Sequence, residues 1–216
     1  FLLVRACPSS FPGPLSPLPG PVQTKAELRR RLQAARRAVL PADRAAWSAR
    51  ITERLLALPE LQEAERVLFY ASLAEEVDTW PLLRAWLERG RLPLLPGVER
   101  RGGPLWAAAV RDLGADLRPG AFGILEPDRS RTGAVDWRTI QVVLLPGLAF
   151  DLRGYRLGQG AGYYDRSLTA LAPHARRIGL AFECQVVECL PAERHDVPAH
   201  WVVTEERVII PGPPGD

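Results

Sequence analysis

Apolar positions recur at helical spacing early in the chain and then shift to short continuous runs. Leu28, Leu32, Ala35 and Val39 stripe one face of a helix predicted from Lys25 to about Leu40. Thr24 is placed to cap it, with Glu27 where a capping box needs it, and Pro41 ends it. A second helix begins near Asp43, carries Trp47, Ile51, Leu55 and Leu58 on one face, and is closed by Pro59. Val67–Ala71 reads as a buried strand. Ser72–Thr79 is a loop with three acids, Glu75, Glu76 and Asp78. Thr79 should cap the next helix, with Pro81 in its first turn, Leu82, Leu83, Trp86 and Leu87 as its core face, and Gly90 as its stop. Leu92–Leu95, Leu105–Val110, Ile140–Leu145, Ile178–Phe182, Trp201–Thr204 and Val208–Ile210 are further predicted strands, and Tyr163–Leu171 a helix. Gly97–Pro104 is a polar turn, and His195–Pro198 another. Asp112–Asp128 is rich in Gly and Pro, and Phe122–Pro127 within it reads as an ordered loop rather than a regular element.

Strands that are apolar throughout and alternate with helices argue for an α/β fold, a mostly parallel central sheet covered on both faces. Ligands then sit at the carboxyl ends of the strands. The loop after Leu145, the Ser72–Thr79 loop and the His195-Asp196 turn are candidates to share that rim. No repeat and no linker divides the chain after Lys25, so residues 24–210 are expected to form one α/β domain, with a loose tail at 211–216. Residues 1–23 differ. They hold Pro8, Pro12, Pro14, Pro17, Pro19 and Pro21 and no acid, which predicts disorder. Phe1–Val4 is too short for a signal-peptide core. The chain contains no methionine, and the natural start is expected near Val22.

Composition narrows the picture only slightly. The 216 residues suffice for one sizeable domain. A net charge of +3 with a pI of about 9.0 leaves room for basic patches, which suit anionic small molecules as well as nucleic acid. Cys7, Cys184 and Cys189 are odd in number and lack CxxC spacing, which suggests reduced thiols and a cytoplasmic setting. No HExxH is present to bind zinc, and no apolar run approaches the roughly 18 residues of a membrane span.

The chemistry concentrates in Leu144–Leu168. A buried-looking strand enters Pro146-Gly147, and three alternating glycines follow, Gly158, Gly160 and Gly162, then Tyr163-Tyr164-Asp165-Arg166. Glycine serves where φ is positive or a ligand approaches the main chain. Free N–H groups running into a helix N-terminus make an anion site. The spacing is GxGxG, roughly ten residues after its strand, so it is not the GxGxxG dinucleotide fingerprint. GK[ST] and GxSxG are absent as well. A phosphate cradle remains, with Asp165 beside it either as a Mg²⁺ ligand or as an acid at a helix start. Lys25 and Arg29, stacked one turn apart with Arg36 in the same stripe, are either a solvated basic face or a reach into that phosphate site. Tyr163 and Tyr164 suit packing, or stacking on a flat heterocycle.

Residues 144–166, LLPGLAFDLRGYRLGQGAGYYDR, resemble the signature of the 5-formyltetrahydrofolate cyclo-ligase family, also called methenyltetrahydrofolate synthetases. Lys25–Arg29, Ser72–Thr79, Phe122–Pro127, Leu180–Glu183 with Gln185, Leu190–Asp196 and Val203–Glu205 resemble further family blocks in the same order. The resemblance implies a three-layer α/β/α fold related to sugar-phosphate isomerases and CoA transferases. It also implies ATP- and Mg²⁺-dependent conversion of 5-formyltetrahydrofolate to 5,10-methenyltetrahydrofolate, with ADP and phosphate released. It carries ATP contacts onto Lys25, Arg29 and Arg156, Leu157, Gly158, Gln159, Gly160, Ala161, Gly162, Tyr163 and Tyr164. Folate contacts fall on Ala71, Glu76, Gln159, Gly160, Ala161, Gly162 and Tyr163. Metal ligands fall on Asp165 and Asp196. Arg156 and Lys25 are the candidate catalytic residues. The expected partners are ATP and the folate, with or without a polyglutamate tail, and neither nucleic acid nor a membrane; the expected state is a monomer. Gln159 and Ala161 depart from the residues common in the family. Two other readings stay open, an RNA-binding protein using the Lys25–Arg37 helix and a sugar-phosphate or CoA-handling protein of the same fold.

Overall fold

A computed structural model of the chain describes residues 24–120, 123–193 and 195–212. The Pro-rich segment, Phe122 and residues 213–216 lie outside the described residues. Helix α1 spans Lys25–Ala38. Its capping box is complete: the Glu27 N–H donates to the Thr24 hydroxyl at 3.3 Å, and the Glu27 carboxylate accepts the Thr24 N–H at 2.9 Å. Helix α2 spans Pro41–Leu56, so Pro41 both stops one helix and opens the next, where its missing N–H costs nothing. The same preference corrects the role expected of Pro59. It does not merely close α2 but starts a short helix α3, Pro59–Glu63.

The strands are β1 (Val67–Leu68), β2 (Leu94–Val98), β3 (Leu105–Ala109), β4 (Leu117–Pro119), β5 (Leu125–Pro127), β6 (Ala134–Val135), β7 (Val142–Leu145), β8 (Ala149–Asp151), β9 (Arg156–Leu157), β10 (Arg176–Leu180), β11 (Val186–Val187), β12 (Trp201–Val203) and β13 (Val208–Ile209). The large sheet runs β13-β12-β10-β7-β1-β2-β3-β6. Its centre, β12-β10-β7-β1-β2, is parallel, and the edges are antiparallel. This is the mostly parallel α/β sheet that the apolar runs predict. β1 pairs over two residues only, although the Phe69 N–H still reaches the Leu94 carbonyl at 2.9 Å before the chain leaves the sheet.

Further elements differ from expectation, among them β6, which no predicted strand covers. Phe122–Pro127, read as irregular, contains β5, which pairs antiparallel with β4. The short connection after Pro146-Gly147 is a hairpin, β8 with β9, extended by β11 into a second, three-stranded sheet. Strands this short carry too few residues to show an alternating pattern. Helix α4 spans Trp80–Glu88, and α5 spans Tyr163–Leu168, one turn shorter than predicted.

Alternate residues of the sheet face separate cores. Val67, Val142, Leu144 and Ile178 pack with Ile51, Leu55, Leu61, Leu83 and Trp86 of α2, α3 and α4. Leu68, Val143, Leu145 and Val202 pack with Phe150 of the small sheet, Trp137 and Leu168 of α5. Helix α1 sits beyond, with Leu28 and Leu32 against Ala149, Leu157, Val187 and Leu190. Its basic stripe is therefore carried on the small sheet, next to the glycine loop that leaves β9. No helix among the described residues is long and apolar enough to cross a membrane.

Candidate active site

The chain leaves β1, β2 and β7, three neighbours at the middle of the sheet, on one rim. Tyr70 and Ala71 follow β1, Pro96–Val98 end β2, and Pro146–Leu148 follow β7. With the glycine loop they line a cavity of about 400 Å³, within the range of ligand pockets. Leu73 and Glu76, Leu105, Ile124–Glu126, Arg156, Gly158, Gln159 and Ala161–Asp165 complete the lining.

Each wall is held by its own hydrogen bonds. Thr79 takes the N-cap position of α4, but its hydroxyl donates back to the Tyr70 carbonyl at 2.6 Å, and Asp78 instead accepts the Trp80 N–H at 3.0 Å. The Ser72–Thr79 loop is thereby folded tightly enough to face Glu76 into the cavity, where the Leu73 N–H donates to it at 3.1 Å. The floor is held by Gln185. Its buried amide donates to the Gly147 and Leu148 carbonyls, each at 3.0 Å, and accepts the Phe182 N–H at 3.0 Å. At Gly147 a Cβ would stand 2.8 Å from the Phe150 ring and 3.1 Å from Cγ of Arg156, so a larger residue would displace the arginine.

Arg156 is the buried cation of the cavity. Its side chain is 4% exposed, and Nη2 donates to Asp165 Oδ1 at 2.6 Å. Nη1 is buried with no partner among the described residues. An unsatisfied guanidinium nitrogen in a cavity costs free energy that an anionic ligand would recover. Its guanidinium carbon also lies 5.4 Å from the Tyr164 ring centroid. Burial pushes the Tyr164 phenol up, with Arg156 opposing, and burial likewise raises Tyr70. Both phenols stay neutral and can donate hydrogen bonds. Burial is also the largest influence on Glu76, raising it, while the Leu73 N–H and Arg36 pull it down.

The glycine loop has a second flank. Arg29 Nε donates to the Gly158 carbonyl at 3.0 Å, and its guanidinium lies 3.5 Å from where a Cβ on Gly160 would be. Lys25 pairs with Glu193 at 2.7 Å and Asp196 at 3.1 Å. Burial works against both Lys25 and Asp196, but the pairing wins: Lys25 is raised and Asp196 lowered. Positive φ falls on Gly160 (102°) and Gly162 (64°), either side of Ala161. Gly162 is the left-handed cap of α5, a helix of only six residues, so the backbone N–H groups matter more here than a helix dipole.

The structure thus brings Ala71, Glu76, Arg156, Gly158, Gln159, Ala161, Gly162, Tyr163, Tyr164 and Asp165 to one cavity. Lys25, Arg29 and Asp196 stand outside that lining, and Leu157 is buried under α1. Among the described residues no three His, Cys, Asp or Glu side chains gather as a metal site. Asp165, one carboxylate facing a cavity, does fit Mg²⁺, which takes one or two carboxylates and completes its shell with phosphates and water. The residue that sequence reasoning undervalued is Arg36. It lies in the Lys25–Arg29 stripe yet is 2% exposed, and it pairs with Glu75 and Glu76 at 3.5 Å each. Glu126, which accepts the Val98 N–H at 3.0 Å at the cavity edge, was legible only as part of a resembling segment.

The 5-formyltetrahydrofolate cyclo-ligase family matches this chain by its sequence profile over residues 21–205. The 5-formyltetrahydrofolate cyclo-ligase of Escherichia coli K12 is 30% identical over 178 residues, covering 80% of this chain and 96% of the relative. The NMR structure of Aquifex aeolicus 5,10-methenyltetrahydrofolate synthetase superposes with a TM-score of 0.78 at 34% identity, covering 90% of this chain and 96% of the other. A Mycoplasma pneumoniae 5,10-methenyltetrahydrofolate synthetase shares the fold, with a TM-score of 0.69 at 22% identity over 85% of this chain and 99% of the other.

Proposed function

The chain belongs to the 5-formyltetrahydrofolate cyclo-ligase family, and from that premise we infer how the cavity and the glycine loop divide the work. The enzyme converts 5-formyltetrahydrofolate to 5,10-methenyltetrahydrofolate, with ATP as its co-substrate. The formyl group sits on an amide-like nitrogen and its oxygen is a poor leaving group. In the proposed sequence that oxygen takes the γ-phosphoryl group: a P–O bond forms to it, the bond to the β-phosphate oxygen breaks, and ADP leaves. N10 of the folate then attacks the activated carbon, phosphate departs, and N10 loses its proton as the ring closes.

Such a reaction asks the protein for position and charge stabilisation rather than a nucleophile. Arg156 supplies the charge, and its unpartnered Nη1 is the observation that carries the reading. Glu76, in the same cavity, accepts N–H groups of the pterin ring. Tyr163 and Tyr164 offer ring faces beside it, and Tyr164 a neutral phenol. Ala71 and the backbone of Gln159–Gly162 make up the rest of the folate surface. Lys25 and Arg29, on the other flank, take the ATP phosphates together with the N–H groups of the loop from Arg156 to Tyr164. Asp165 is the carboxylate assigned to Mg²⁺, with Asp196 as the second; the ion, when bound, offsets phosphate charge. The reading carries a cytoplasmic setting, in keeping with the free thiols of Cys184 and Cys189.

The test is direct. Protein with 5-formyltetrahydrofolate, ATP and Mg²⁺ should build up the methenyl chromophore with one ADP formed per ring closed. No absorbance change and no ADP would reject the reading.

A further inference from the structure

Helix α1 meets the site twice. In its first turns Arg29 bonds the Gly158 carbonyl on the outer flank of the glycine loop, and Lys25 pairs with Glu193 and Asp196. Arg36, in its last turn, turns inward to the acidic loop on the other side. We propose that Arg36 is a positioning residue for the folate: buried behind the cavity wall, it keeps Glu76 charged and aimed at the substrate, so that one helix serves both ligands. This rests on the folate assignment above.

The geometry favours it over a plain structural cation. Arg36 is 2% exposed at its side chain, while Glu76 is 13% and Glu75 is 34% exposed. Glu75 has a second cation, Arg37 at 3.0 Å, whereas Arg36 is the cation that Glu76 pairs with. Both Arg36 contacts are 3.5 Å, long for charge-assisted bonds, and its Nε has no partner among the described residues. It therefore acts on Glu76 chiefly through its field, in a place with little solvent to screen it. The other groups facing Glu76 are Glu75 on its own loop, the Tyr70 phenol after β1 and the Tyr164 phenol on α5, with Asp78 beyond Tyr70. Arg36 is the positive charge in that set. Burial already drives the Glu76 carboxyl upward, and Glu75 adds to this; Arg36 and the Leu73 N–H oppose it. Without Arg36 the carboxyl rises further, protonates at higher pH, and stops accepting from the pterin.

The experiment is the pH profile of kcat/KM for 5-formyltetrahydrofolate in wild type, Arg36→Lys, Arg36→Gln, Glu76→Gln and the double variant Arg36→Gln/Glu76→Gln. In Arg36→Gln the acid limb should move up by about one pH unit, with a roughly tenfold loss below it and a KM for ATP changed less than about threefold. Arg36→Lys should keep the limb near its wild-type position, because it keeps the charge. Glu76→Gln should abolish the limb, and adding Arg36→Gln to it should cost less than about threefold more. A well-folded Arg36→Gln with an unmoved limb overturns the proposal. So does an Arg36→Gln effect as large in the Glu76→Gln background as in wild type. Should Arg36→Gln alone fail to fold, the double variant, which leaves no unpaired buried charge, is compared with Glu76→Gln. A wild-type protein that does not turn the folate over sinks the folate reading and this proposal with it; an active wild type with the other results unmoved sinks this proposal alone.

Discussion

The two flanks of the glycine loop use the same residue types under different physics. On the cavity flank, Arg156 and Glu76 are almost shut off from solvent, at 4% and 13% exposure. On the outer flank, Lys25 is 25% exposed and Glu193 is 54% exposed. A charge in a dry cavity acts strongly and cannot be replaced by water, while a charge at a wet rim is screened and partly replaceable. The cavity flank should therefore set the chemical step, and the outer flank the affinity for a polyanion that keeps part of its solvent shell.

The largest effect that tests this contrast is expected from Arg156→Ala. It removes the buried cation and leaves Asp165 without its partner at 2.6 Å. The loss should fall on kcat, on the order of 10²–10³-fold, as for other groups that stabilise developing charge. Arg156→Lys should recover only part of it, since an ammonium on a flexible stem lacks the planar fork that fixes the geometry between Asp165 and a phosphoryl oxygen. If steady-state kinetics put an equal kcat loss on Lys25→Ala, the division between flanks is wrong.

Gly160→Ala belongs to neither flank. The atoms nearest a Cβ at Gly160 belong to Arg29, the first at 3.5 Å, an ordinary contact. The strain lies in the backbone, where φ of 102° costs a side chain on the order of 1–3 kcal/mol. The loop is expected to shift, raising KM for ATP and for the folate together, by roughly tenfold each. A rise in one KM alone would show that the loop does not serve both ligands.

The contrast also explains what the sequence could and could not say. Parallel strands of continuous Val, Leu and Ile, such as Val142–Leu145, are legible because burial on both faces leaves no polar positions. The two- and three-residue strands around Arg156 are not, since their pairing is set by the sheet they cap and not by their own pattern. The glycine spacing marked the loop, and Glu76 and Arg156 came through the family resemblance. Spacing set Arg36 on the face of Lys25 and Arg29, apart from Arg30, Arg31 and Arg37, but it could not show Arg36 to be buried, because a buried arginine in a basic run has the same local signature as a solvated one. What separates them is the acidic loop some forty residues on, brought against α1 only by the fold.

A smaller effect is expected from Asp165→Asn. The substitution keeps the side chain's size and weakens its hold on both Arg156 and Mg²⁺. Half-maximal activity should then need roughly tenfold more Mg²⁺, with kcat at saturating metal falling less than in Arg156→Ala. A wild-type Mg²⁺ titration in this variant removes Asp165 from the metal assignment and leaves it as the anchor of Arg156.

The smallest effect is the one that singles out the wet flank. Lys25→Ala breaks pairs with Glu193 and Asp196 that are partly exposed, so its effect on stability should stay within about 1 kcal/mol. Its effect on ATP should be a KM increase of roughly five- to tenfold at low ionic strength, with kcat nearly unchanged. Salt distinguishes this from a general loss of fit. Raising ionic strength from about 0.05 to 0.5 M shortens the screening length to a few ångströms, which should raise the wild-type KM for ATP several-fold. The same titration should raise it less in Lys25→Ala, because one of the screened charges is already gone. KM for the folate should move little in either protein, since Glu76 and its cation Arg36 lie where salt does not reach. Parallel salt slopes for ATP in the two proteins would mean that Lys25 serves Asp196 and Glu193 and not the nucleotide, leaving Arg29 as the outer-flank contact.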